Sequence, residues 1–136
     1  MTVYKTNKQK IPGTNFKEVN KFAEIIFKKI KSQTKRTPYI RSKYFKKEKV
    51  FITLFWAHLF EKHEHERFRR LKFFDCALDL IRNSTCDPET RENFKKKDET
   101  LHRFHGETKN NEEFVAQIKE NKRTGRKDLI SIYPVK

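Results

Sequence analysis

Two histidines three residues apart stand in the segment Leu101-His102-Arg103-Phe104-His105-Gly106, and downstream the chain offers Gln117, Lys119, Ser131 and Tyr133. Imidazoles move protons near neutral pH, while guanidinium, ammonium, amide and hydroxyl groups hold anionic oxygen. Whether these groups act together depends on where they point. Side chains of a strand alternate between its faces, so residues at even spacing share a face. Arg103, His105, Gln117, Lys119, Ser131 and Tyr133 then gather on one surface, with Leu101 and Val115 as its apolar members. His102 falls on the other side, as a hydrogen-bonded buried histidine, unless a bulge redirects it.

The elements that must position these groups are three strands in an antiparallel meander, over Thr100–Gly106, Phe114–Asn121 and Asp128–Tyr133. Thr124-Gly125 marks the tight turn between the last two. An odd-residue loop there pairs Ile118 with Ile132, Glu120 with Ile130, Lys119 with Ser131 and Gln117 with Tyr133. A strict two-residue loop would mix apolar and polar side chains on both faces, as any one-residue slip does. In the first pair of strands, Phe104 meets Ala116 and His102 meets Ile118. Phe104, Phe114, Ala116, Ile118, Ile130 and Ile132 form an apolar face that helices must cover. Glu120 points away from the polar surface.

The preceding chain supplies that cover. Residues 1–14 read as a flexible basic N-terminus, and residues 15–136 as a single domain with helices over 15–83 and the sheet over 99–134. Asn15 caps a first helix, with Glu18 reaching back to close the box. Its apolar stripe is Phe16, Val19, Phe22, Ala23, Ile26, Phe27 and Ile30. Residues 32–47 form a connector broken by Pro38, in which basic residues alternate with Tyr39, Tyr44 and Phe45. That interleaving suits phosphate binding with base stacking, or aromatic rings docking back on the core. Residues 48–62 read as a buried helix and 64–83 as a second, with Arg67, Arg69, Arg70 and Lys72 on a solvated face. Residues 84–98 read as a polar loop. The expected class is α+β, N-terminal helices packed on one face of a three- to four-stranded antiparallel sheet.

The chain has 136 residues, with 33 Lys and Arg against 18 Asp and Glu, a net charge of +15. This excess favours a polyanionic partner, although Lys, Phe, Ile and Asn enrichment through compositional drift accounts for part of it. Cys76 and Cys86 make neither a disulfide framework nor a metal motif. His58, His63 and His65 lack a carboxylate or cysteine at ligand spacing, so no metal is expected. Three glycines leave no phosphate loop. Without a membrane-length apolar run or a signal-peptide core, the chain reads as cytoplasmic.

The C-terminal block, Leu101-His102-Arg103-Phe104-x-Gly106, Phe114–Asn121 and Ile130-Ser131-Ile132-Tyr133-Pro134, resembles phage-type barnase–EndoU–colicin–RelE-like nucleases. Upstream, Tyr44-Phe45-Lys46-Lys47 and Arg69-Arg70-Leu71-Lys72-Phe73-Phe74 resemble small chains carrying such a domain. The resemblance implies a metal-independent ribonuclease without cofactor, toxin-like or derived from a mobile element, with RNA as partner and an antitoxin or immunity protein as a second. A fourth strand would fall within Glu92–Lys97. His105, or His102 if a bulge turns it, would transfer the proton. Arg103 and Lys119 would hold the phosphate, Ser131, Gln117 and Tyr133 would position the substrate, and Arg123, Arg126 and Lys127 would grip the backbone from the hairpin tip. No second acid or base stands out on that surface. The rival reading is a noncatalytic RNA- or ribosome-binding module using the same face.

Overall fold

The computed structural model describes residues 3–135. Among these residues seven strands and four helices follow in order: β1 (Val3–Lys5), α1 (Phe16–Ser32), β2 (Tyr39–Ser42), β3 (Glu48–Phe51), α2 (Thr53–Phe60), α3 (Glu64–Leu71), α4 (Phe74–Asn83), β4 (Glu89–Glu92), β5 (Glu99–Glu107), β6 (Glu113–Asn121) and β7 (Lys127–Pro134). The strands form one mixed, curled sheet in the order β1-β5-β6-β7-β3-β2, with β4 also on β5. This corrects the expected three- to four-stranded antiparallel sheet. β1 runs parallel to β5, and β3 runs parallel to β7.

The extra strands are three or four residues long, too short for period-two alternation to show in the sequence. The residues expected to form a flexible arm begin with β1, which pairs with His105–Glu107. Thr6 and Ile11 behind it are buried, and the Ile11 N–H donates to the Lys72 carbonyl at 2.8 Å. Met1 and Thr2 lie outside the described residues. β4 pairs antiparallel with Thr100–Arg103 and so shares one edge of β5 with β1, end to end. It starts three residues before the stretch expected to hold a fourth strand. In the connector, β2 pairs with β3, and the run expected to be one helix from 48 is strand first and helix only from Thr53. Val50 pairs with both Ile40 and Lys127, so partners on two sides outweigh the helical length of the apolar run.

Residues 64–83 are two helices rather than one. The break at Lys72-Phe73 frees the carbonyl that Ile11 takes, while Phe68, Leu71, Phe74, Leu78 and Ile81 keep helical spacing straight through it. Periodicity therefore could not reveal it. The first helix agrees better with expectation. The Asn15 side chain accepts from the Glu18 N–H at 3.0 Å, and the Glu18 carboxylate accepts from the Thr14 N–H and hydroxyl, both at 2.7 Å. Phe22 departs from the stripe, lying 47 % exposed.

The core lies between the helices and one sheet face. Phe104, Phe114, Ala116, Ile118 and Ile132 are buried there with Phe55, Phe74, Leu78 and Leu80. Tyr44 and Phe45 pack edge-on against Phe104, so these two connector aromatics dock on the core. Gly106 sits where a Cβ would lie 2.5 Å from the Phe114 ring and 2.7 Å from Leu80.

Candidate nucleic-acid face

Alternation along β5 is complete: residues 100, 102, 104 and 106 are buried, and 101, 103, 105 and 107 are partly exposed. The β5–β6 register is the expected one, with Phe104 opposite Ala116 and His102 opposite Ile118. The β6–β7 register differs. Gln117 faces Ser131, Ala116 faces Ile132 and Val115 faces Tyr133, and then a bulge shifts the ladder so that Ile118 faces Leu129, Lys119 faces Asp128 and Glu120 faces Lys127. The bulge accommodates Leu129 and Ile132, three residues apart, both fully buried on the same side. Leu129 takes the place expected for Ile130. The Ile130 carbonyl is met instead by the His58 ring, whose Nδ1–H donates to it at 3.0 Å.

Three rows of side chains result on the less buried face. The middle row is Arg103, Gln117 and Ser131 across β5, β6 and β7. Arg103 Nε donates to Gln117 Oε1 at 3.0 Å. Beside it runs His105, Val115 and Tyr133. On the other side, Lys119 lies between Leu101 and Asp128, with its ammonium 3.8 Å from Glu99. Arg103, His105, Gln117, Ser131 and Tyr133 are thus near neighbours. Lys119 is on the same face but four residues along the strand from the His105 row, about 13 Å away. It cannot share one phosphate with His105.

Two residues join this face that the sequence pattern did not indicate. Glu89, on β4, accepts from His105 Nε2 at 2.5 Å, and this hydrogen bond holds its carboxyl below the usual carboxylate range. Because a carboxylate only accepts, Nε2 carries the proton and Nδ1 is left as the imidazole's basic nitrogen. Among the described residues Nδ1 has no hydrogen-bond partner. Arg70, at the end of α3, reaches over the β7 edge to donate to Ser131 Oγ at 3.0 Å, and its guanidinium lies 5.7 Å from the Tyr133 ring centre. A cleft of about 210 Å³ lined by Phe55, His58, Leu59 and Ile132 opens beside Arg70 and Ser131. No apolar residue marks Glu89-Thr90-Arg91-Glu92 as a strand. Arg70 gains its place only because β3 leaves the second half of β7 unpaired, a fact of topology.

His102 sits on the opposite, covered face, 8 % exposed. Its Nε2 meets Glu120 at 2.8 Å, its Nδ1 meets the Thr90 hydroxyl at 2.9 Å, and the Phe45 ring packs edge-on against it. Burial would raise the Glu120 carboxyl, but the His102 hydrogen bond and the Lys127 charge outweigh it and leave the group below its ordinary range. Lys127 lies on that covered side as well. Expected at the solvent-exposed hairpin tip, it is 4 % exposed, 2.5 Å from Glu48 and 3.5 Å from Glu120, with its ammonium over the Phe45 ring. Arg123 is exposed at the tip, while Arg126 pairs with Asp128 and lies over Phe51.

Chemically, the less buried face combines an imidazole oriented by a carboxylate, two guanidiniums, an amide and two hydroxyls. Among the described residues, no group of three or more His, Cys, Asp or Glu is placed to hold a metal ion, and no helix is long and apolar enough to cross a membrane. The class defined here is a seven-stranded mixed-sheet protein with four helices, among the described residues, and a polar strand face that mixes both signs of charge. No family model, curated protein or solved structure matches the chain.

Proposed function

We propose that the chain is a metal-independent endoribonuclease whose reaction centre is the face bearing His105, Arg103, Gln117, Ser131 and Tyr133. The observation that carries this reading is the His105–Glu89 pair set beside the Arg103–Gln117–Ser131 row. RNA cleavage by its own 2′-hydroxyl needs a base for that proton, cations for the phosphorane and an acid for the leaving 5′-oxygen. His105 Nδ1 takes the proton, with Glu89 steadying the imidazolium that forms. Arg103 and Arg70 flank the phosphate position from β5 and from α3. Tyr133, whose backbone lies two strand spacings or about 10 Å from that of His105, gives its hydroxyl proton to the leaving oxygen. It fills the role for which no second group stood out in the sequence. The 2′-oxygen bonds to phosphorus as the 5′-oxygen leaves, giving a 2′,3′-cyclic phosphate and a free 5′-hydroxyl.

The test is end-labelled RNA incubated with the protein in excess chelator. Cleavage to cyclic-phosphate products is expected, reduced about 10²- to 10⁴-fold in His105→Ala, the range for loss of a general base. Binding without cleavage, steeply weakened by salt, would instead identify a noncatalytic RNA-binding module.

A further inference from the structure

Beyond Lys119, the same face continues onto the short strands β3 and β2. Asp128 lies opposite Lys119, Phe51 opposite Asp128 and Tyr39 opposite Phe51. This row ends at a cleft lined by Tyr39, Phe51, Lys49, Arg126 and the exposed loop residues Lys35 and Arg36. Four cations line it, of which only Arg126 is paired, with Asp128 at 3.2 Å. Among the described residues, Lys35, Arg36 and Lys49 form no ion pair. Cations stand against both of its rings, Arg41 among them at 5.4 Å from the Tyr39 centroid. Tyr39 and Phe51 meet edge-on with centroids 6.0 Å apart, Lys49 sits 4.7 Å from the Tyr39 centroid, and the Arg126 guanidinium lies 4.1 Å over Phe51.

We infer that this cleft is a base-stacking subsite for single-stranded RNA, continuous with the reaction face. Unneutralised cations beside aromatic rings fit a chain of alternating phosphates and bases, and every base offers a flat face to a ring or guanidinium. An incoming base stacks on the Arg126–Phe51 pair or displaces Lys49 from Tyr39, and the released ammonium then meets a phosphate. Duplex RNA keeps its bases stacked on one another and gains nothing from the rings. His105 and Phe51 lie three strands and four residues apart, about 20 Å along the sheet. Lys119 stands between them, out of reach of the scissile phosphate but in place for a flanking one. Of the aromatic and basic residues in the 32–47 connector, Tyr39 therefore serves the ligand while Tyr44 and Phe45 serve the core.

The subsite rests on the proposed RNA-directed reading of the face, but it is measured by binding alone. The probe is a fluorescein-labelled, fully 2′-O-methylated oligouridine, which lacks the attacking hydroxyl and stays intact, followed by anisotropy. Tyr39→Leu is expected to weaken binding about tenfold or more, in line with loss of one stacked base. Lys35→Glu combined with Arg36→Glu, in an exposed loop, should weaken it comparably without touching a packed element. An RNA hairpin of equal length should compete poorly. Wild-type affinity in both the Tyr39 variant and the double charge reversal, or equal competition by the hairpin, would overturn the subsite even if RNA cleavage is intact. Weakened binding in the variants, in a protein that cleaves no RNA, would sustain the subsite and refute the nuclease reading.

Discussion

His102 and His105 are three residues apart and chemically alike, yet each has a glutamate partner on a different side of the sheet. His102–Glu120 is enclosed by Thr90, Phe45 and Lys127, whereas His105–Glu89 borders the arginines of the less buried face. Their pH behaviour follows. Glu120 is lowered in the folded chain, so its contribution is complete above the ordinary glutamate value of about 4.3 and lost as pH falls through the folded value. Chemical-denaturation midpoints measured from pH 7 to pH 3 should drop below that value in the wild type, and Glu120→Gln should flatten part of the drop. Glu89 and Glu18 are lowered as well and add to the same acid limb, so the flattening is partial. Side-chain alternation made the separation of the two histidines readable in advance. It could not supply Glu89, which lies on a strand without apolar pattern, or Arg70, which helical periodicity puts on a solvated face.

The bulge in β7 and the break between α3 and α4 are the local departures that matter most among the elements. Both are solved by a distant group: His58 for the Ile130 carbonyl and Ile11 for the Lys72 carbonyl. A period-two or period-3.6 pattern carries no trace of such partners, so the sequence showed three long strands and the first helix but not the interruptions. Ile11 is 4 % exposed, and Ile11→Ala should cost about 2–4 kcal/mol in urea unfolding, as for other buried isoleucines. An unchanged midpoint would show that the N-terminal segment does not dock. Gly106 reports on the end of β5 along which β1 pairs. Adding a methyl group there places it against the fully buried Phe114 ring and Leu80, and Gly106→Ala should lower stability by about 1–3 kcal/mol, read as a fall in melting temperature.

For the whole molecule, two short edge strands, β1 and β4, complete one side of the sheet, and a parallel β3 with β2 beyond it completes the other. That architecture differs from the antiparallel sheet the resemblance implied, so the functional proposal stands on the groups of the face and not on a shared fold. The net charge of +15 gives the molecule an attraction for polyanions, but charge alone does not choose a surface. The proposed reading assigns that role to the rows across β5, β6 and β7, running from His105 toward the cleft at Tyr39. Comparing the two histidines by single-turnover cleavage of labelled RNA, each variant first checked for folding by circular dichroism, tests this choice most directly. His105→Ala should remain folded and lose cleavage about 10²- to 10⁴-fold. His102→Ala should lose stability while the folded fraction keeps cutting. Full activity in folded His105→Ala, or a loss confined to folded His102→Ala, would contradict the assignment of the chemistry to this face.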